Sequence, residues 1–200
     1  RQELIPPESL IAYRSAFPTM VGRADLYVAF IERSLNLLAP RGRLSFICAD
    51  AWVRNDYGRV LRHKIASSFH LREYIDMYGV DAFEAEVGAY TSIFDIECAD
   101  PGETIATKAL FAAEEHLSAL AKAMAGGPHD GLAPIRTIDH LPADGSPWLL
   151  SVASQVELIE DLEARFPALQ EAGLRVGIGV ATGADKVFLA PMDELDVEDD

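Results

Sequence analysis

From Ala24 onward, apolar residues return at three- and four-residue steps: Ala24, Val28, Ile31, Leu35 and Leu38 fall on one side, Glu32, Arg33 and Asn36 on the other. That period is the signature of an amphipathic helix, and Ala39-Pro40-Arg41-Gly42 closes it. Upstream, Pro6-Pro7-Glu8 predicts a short helix over residues 8–17, since proline is tolerated in a first turn, and Pro18 ends it. Beyond the turn the period changes. Residues 44–48 are almost all apolar, the pattern of a parallel strand covered on both faces. A helix over 57–69 and a strand over 71–77 follow. Residues 87–97, rich in Val, Tyr, Thr, Ile and Phe, predict another strand, and 104–111 a further one.

Helix, tight turn and buried strand together are the αβ half of a βαβ unit, so the class expected is α/β with a parallel sheet. The segment between residues 77 and 87 has no room for a crossover helix. The two strands it joins are therefore expected to be antiparallel neighbours at the sheet edge. A helix over 114–124 leads into Gly126-Gly127-Pro128 and a loop ending Asp144-Gly145-Ser146-Pro147. A domain boundary is placed there: 1–112 as the α/β part, 113–147 as a helical connector, 148–200 as a separate region. That last region is expected to hold a helix over 152–164 and a small β element over 175–189, two short strands around a Gly-rich turn.

Composition narrows the options. Half of the 200 residues are hydrophobic, enough for a core. No apolar run is long enough to span a bilayer and the first residues have no signal-peptide zones, so no membrane partner and a cytoplasmic location are expected. Cys48 and Cys98 stand in apolar runs as free buried thiols, and the five histidines show no metal-ligand spacing, so no metal is expected. The net charge of −15 argues against a surface that is basic throughout. The distribution is uneven, however. Arg41, Arg43, Arg54, Arg59, Arg62, His63 and Lys64 cluster in one segment, a candidate local basic face, whereas 193–200 form an acidic run read as solvated linker.

Asp50 stands at the carboxyl end of the strand over 44–48, the side on which open parallel sheets bind ligands, and its competing role is to cap the next helix. Arg54 and Asn55 follow, within reach of a phosphate or simply solvated. Tyr27 and Phe30 have the spacing of core residues. Thr182, Gly183 and Lys186 combine exposed backbone N–H groups, a hydroxyl and a charge, which suits a DNA phosphate as well as an ordinary hairpin turn. The stretch lacks the Gly-Lys-Ser/Thr ending of a P-loop.

Two stretches, RADLYVAFIERSLNLLAPRGRLSFICADAW from Arg23 and AFEAEVGAYTSIFDI from Ala82, resemble the second half of the catalytic domain of gamma-class adenine-specific DNA methyltransferases, including type IIG restriction-modification polypeptides. More weakly, GIGVATGADKVF resembles the opening of a target-recognition region. The resemblance implies a partial Rossmann-like methyltransferase sheet over 1–112 and the start of target recognition over 148–200. It implies transfer of a methyl group from S-adenosylmethionine to the exocyclic amine of a flipped adenine in double-stranded DNA. By motif position Phe83 is the aromatic that stacks on the flipped base; packing at the sheet edge is its alternative. Glu84 and Glu86 depart from the pattern, where a basic residue would suit DNA better.

The Gly-containing cofactor loop and the Asn-Pro-Pro-aromatic motif have no counterpart in these residues. Pro6-Pro7 is not that motif, because Leu4-Ile5 precedes it and no aromatic follows. The chain, which opens on Arg1, is thus expected to be the later part of an enzyme. By itself it is expected to be inactive, without catalytic or cofactor-binding residues, and its truncated sheet to be prone to self-association. The rival from another class is a non-catalytic DNA-binding or assembly module of a restriction-type system. A methyltransferase acting on protein or RNA is a third reading, since a sheet does not name its substrate.

Overall fold

The structure is a computed structural model that describes residues 5–80, 90–128, 131–150, 153–175 and 177. The first helix, α1 (Pro7–Ala16), starts on proline and buries no residue. Helix α2 (Leu26–Leu37) is capped by Asp25, whose carboxylate accepts the Leu26 N–H at 2.8 Å, and buries Val28, Ile31 and Leu35 as its periodicity predicts. Phe30 corrects the expectation of a core role. It lies two residues off that stripe and is 63% exposed, whereas Tyr27 packs against the core.

Strand β1 (Arg43–Ala49) leads into the single turn of α3 (Ala51–Arg54), a 3-10 turn over Asp56–Gly58, and α4 (Arg59–Ser68). Strands β2 (His70–Asp76), β3 (Thr91–Glu97) and β4 (Thr104–Lys108) precede α5 (Glu114–Met124), and β5 (Arg136–Ile138) and α6 (Ala153–Arg165) complete the elements. The class is mixed α/β, as the pattern predicts. Five strands form one sheet in the order β1-β3-β2-β4-β5. Strand β3 is antiparallel to both β1 and β2, with Phe94 opposite Phe46 on one side and Tyr74 on the other. Strand β4 runs parallel to β2, and β5 antiparallel to β4.

The expected antiparallel pairing of β2 with β3 is present, but β3 is not at the edge. It is wedged between β1 and β2, and the edges are β1 and β5. Burial explains the difference: all residues of β3 except Ile93 are buried, which suits an inner strand. From β3 the chain reaches β4 by crossing beneath the first residue of β2. There Gly102 lies so close to the His70 ring that a Cβ would sit 3.0 Å from it, and His70 Nε2 is 2.8 Å from the Glu103 carbonyl. Strand β5 lies inside the stretch read as connector.

Leu44, Phe46 and Cys48 face a core that includes α2, α4, Trp52 and Trp148. On the opposite face α5 packs Leu117, Leu120 and Met124 against Ile75, Ile93 and Ile105. That cover stops short of β1, whose Ile47 is 44% exposed, so β1 is not sealed on both faces as its apolar run predicts. A polar lattice occupies the β1 side instead: Arg43 and Ser45 bind Asp95, and Arg41 and Arg72 bind Glu97.

The chain divides into two units, 1–158 and 159–200. In the second, the described residues are the last turns of α6, carrying an Asp161–Arg165 ion pair at 2.8 Å, and the turns through Leu174. Among the described residues no helix is long and apolar enough to cross a membrane.

Arg62 fastens the first unit. Only 1% exposed, it donates to the carbonyls of Trp52, Asn55, Gly145 and Ser146 at 2.5 to 3.1 Å, with no carboxylate of the described residues in contact. Burial holds its pKa below the ordinary arginine value, partly offset by the charges of Asp56 and Asp144. Gly58 makes room for it, because a Cβ there would sit 1.9 Å from the Trp52 carbonyl and 2.7 Å from the guanidinium. Arg62→Ala strands the buried carbonyls of Trp52 and Gly145 and the part-buried ones of Asn55 and Ser146, and is expected to cost about 3 kcal/mol. Chemical denaturation of the intact protein checks this. Arg62→Lys should recover only part of the loss, because one ammonium cannot span the same acceptors.

Candidate functional site

Strands β1, β2 and β4 point the same way, so their carboxyl ends share one edge of the sheet, the edge where ligand-binding loops of such sheets lie. Strand β3 starts at that edge and stitches it together. The Asp50 N–H donates to the Tyr90 carbonyl and the Met77 N–H to the Thr91 carbonyl, both at 3.0 Å.

Asp50 is 3% exposed and occupies the cap position of α3, yet its side chain makes no capping bond. The carboxylate is taken by Arg54 one turn later, in a close ion pair. Burial would lower the Arg54 pKa. The charge and hydrogen bond of Asp50, joined by the charge of Asp76, outweigh it and hold the guanidinium above its usual range. Arg54 keeps half of its side chain exposed, so it stands at the rim as a fixed cation.

Behind this pair Trp52 meets Phe94 and Trp148 edge-on, at ring centroid distances of 5.3 and 5.7 Å. The Trp148 N–H bonds the Val53 carbonyl and its indole N–H the Pro142 carbonyl, both at 3.0 Å. The Tyr27 and Tyr57 hydroxyls are 2.7 Å apart, and burial raises both, Tyr27 strongly. Burial, with the charge of Asp50, pushes the Cys48 thiol up to about 12, which leaves it protonated and inert at neutral pH. Val53, Arg54, Tyr74, Asp76, Trp148, Leu149 and Leu150 line a space of water-molecule size.

On the far side of β3 the rim is aromatic. Tyr78 and Tyr90 lie 4.7 Å apart between ring centroids, and Lys108 Nζ is 5.4 Å from the Tyr78 centroid. Sequence reading passed over these three. Two tyrosines bracketing a short connection between strands were the available signal, and Asp50 and Arg54 at a four-residue spacing was another.

Of the predicted site residues, Arg54, with the candidates Asp50 and Asn55, lies among the described residues; Phe83, Thr182, Gly183 and Lys186 lie outside them. The seven clustered basic residues do not make one basic face. Arg41 and Arg43 bind carboxylates on the open sheet face, Arg54 binds Asp50, Arg59 lies 4.0 Å from Asp56, Arg62 is buried, His63 Nδ1 meets the Ala143 carbonyl, and Lys64 binds Glu32 and Asn36.

Glu32 ties the loop after α1 to this framework. It is buried and accepts the Thr19 N–H at 3.0 Å, the Thr19 hydroxyl at 2.6 Å and Lys64 Nζ at 3.0 Å.

Residues 5–83 match the family described as Eco57I restriction-modification methylase. They belong to that family. Over its length the chain is 45% identical to the Type II methyltransferase M.PaeR7I of Pseudomonas aeruginosa, covering 100% of this chain and 35% of that protein. It is 41% identical to M.XhoI of Xanthomonas vasicola, covering 99% of this chain and 37% of that one. M.BstVI of Geobacillus stearothermophilus is 34% identical, with 99% and 37% covered. The chain thus spans 35 to 37% of the length of these curated relatives. Among solved structures, the type IIG restriction endonuclease BpuSI is similar at a TM-score of 0.49 and 15% identity, over 66% of this chain and 16% of that one.

Burial raises the Glu32 pKa, but the Thr19 hydrogen bonds and Lys64 outweigh it and hold the carboxyl below its ordinary 4.5. A carboxyl lowered by folding adds stability that is complete above the unfolded value and disappears as pH falls through the folded one. Thermal melts of the intact protein should therefore lose stability on acidification below the ordinary 4.5, and Glu32→Gln should lose less over the same interval. Parallel pH profiles for the two proteins would contradict this.

Proposed function

We propose that this chain is part of an adenine-specific DNA methyltransferase of a restriction-modification system, which transfers a methyl group from S-adenosylmethionine to the exocyclic amine of a flipped adenine. The observation that carries the reading is the 45% identity to the Type II methyltransferase M.PaeR7I over all of this chain. The resemblance around Phe83 supports the choice of adenine.

The rim around Asp50 does not fit the methyl donor. The buried carboxylate at the rim, Asp50, is committed to Arg54, and the space beside it admits no nucleoside. We therefore assign donor binding and the transfer step to the rest of a longer protein and derive no step from these residues. This chain's share is to hold the target nucleotide and to read the DNA. Phe83 stacks on the extruded adenine, which offsets part of the cost of unstacking it. Arg54, Thr182, Gly183 and Lys186 contact phosphates. Residues 1–112 complete the catalytic sheet, 113–147 connect, and 148–200 begin target recognition. The 200 residues alone carry no turnover, and they self-associate through the open β1 edge, where Ile47 is exposed. The cytoplasm, where DNA and methyl donor meet, is the compartment this reading requires.

Incubating the longer protein, rather than these 200 residues alone, with duplex DNA and methyl-labelled S-adenosylmethionine, then analysing the nucleosides, is expected to give N6-methyladenine. A methylated cytosine would overturn the base assignment, and binding without transfer would favour the non-catalytic module. Phe83→Ala should lower kcat/KM about tenfold to a hundredfold, the worth of one base-aromatic stack, while Phe83→Trp retains most of it.

A further inference from the structure

The rim of the sheet carries an aromatic and cationic cluster that neither the fold nor the assignments above use. Tyr78 is 50% exposed and Tyr90 61%, although their rings touch. Two tyrosines serving only to hold a strand connection together would bury each other or be covered by a neighbour. Here the pair stands out of the core with ring surface left open. Lys108 lies against Tyr78 and makes no ion pair with a described carboxylate, in a chain whose net charge is −15.

The three residues are held from three directions. Asp76 Oδ1 accepts the Tyr78 N–H at 2.7 Å, the Tyr90 carbonyl accepts the Asp50 N–H at 3.0 Å, and Lys108 ends β4 opposite Asp76 in register. The Tyr90 main chain is thereby joined to the Asp50–Arg54 pair, so two cations flank the rings along one rim.

An open ring face beside an ammonium is the chemistry that binds a nucleotide, with the base stacked on the ring and its phosphate on the cation. The geometry points to Tyr78, Tyr90 and Lys108 as a nucleotide-binding contact for an unstacked DNA strand, separate from the base-stacking role given to Phe83. This rests on the reading of the protein as a DNA methyltransferase.

The test compares the intact wild-type protein with Tyr90→Ala, Tyr90→Phe and Lys108→Gln. Binding to a mixed-sequence DNA duplex, and to one of its strands alone, is followed by fluorescence anisotropy across a salt series. Tyr90→Ala should weaken single-strand binding about tenfold, and Tyr90→Phe should restore it, because stacking needs the ring and not the hydroxyl. Lys108→Gln should weaken both and lower the slope of log K against log salt by about one. Unchanged melting temperatures show that the variants fold. If the wild-type protein binds DNA and the variants bind it equally well with the same slope, the cluster is not a nucleotide contact. If they lose instead the ability to associate with a protein, it is a protein-docking patch and the inference fails. A wild-type protein that binds neither DNA probe would sink the methyltransferase reading and this inference with it.

Discussion

The structure depends on where β3 lies. A strand running against its two neighbours sits between β1 and β2, so every hydrogen bond that joins those two passes through it. Phe94, at its centre, is flanked by Phe46 and Tyr74 across the sheet and met edge-on by Trp52. The same strand sets the functional rim. Its first residues and the one before them accept the Asp50 and Met77 N–H groups, which holds the ends of β1 and β2 one strand-width to either side.

That placement turns a poorly distinguished set of polar residues into a graded edge. On the β1 side the rim carries an ion pair whose acid is buried and whose base is half exposed, so the cation has a fixed position but an available face. On the β4 side the cation rests on an aromatic ring and pairs with no carboxylate among the described residues. Elsewhere several basic residues are engaged within the molecule. Arg62 holds carbonyls inside the molecule, and Arg41, Arg43 and Arg72 neutralise the acids of β3 on the open sheet face. A chain with a net charge of −15 can still present isolated cations where the sheet ends, and a count of charges along the sequence does not reveal which ones remain.

Local elements were legible because local period determines them. Helix α5 runs over Glu114–Met124, the residues its pattern predicts, since Leu117, Leu120 and Met124 make one stripe. Strand order was not legible, because it depends on partners far away in sequence: nothing within residues 91–97 says that β1 lies on one side and β2 on the other. Strand β5 was missed for a related reason. Three residues, Arg136–Ile138, are too few for a period, and they pair only because β4 offers an open edge. Phe30 and Arg62 fail in opposite directions, an exposed aromatic and a buried arginine, where residue type misleads and neighbours decide. Of the candidate site, Asp50 and Arg54 were picked out singly and not as a pair, and the tyrosines beside the β2–β3 connection not at all.

The most direct test of the account is amide hydrogen exchange on the intact protein. An inner strand bonded on both sides opens only with the whole unit, whereas an edge strand frays on its own. The slowest exchange is predicted at both Phe94 and Asp95, whose N–H groups point to opposite neighbours, with Arg136 to Ile138 far faster. Exchange at either Phe94 or Asp95 as fast as in β5 would put β3 at an edge, and the arrangement of the rim would not stand.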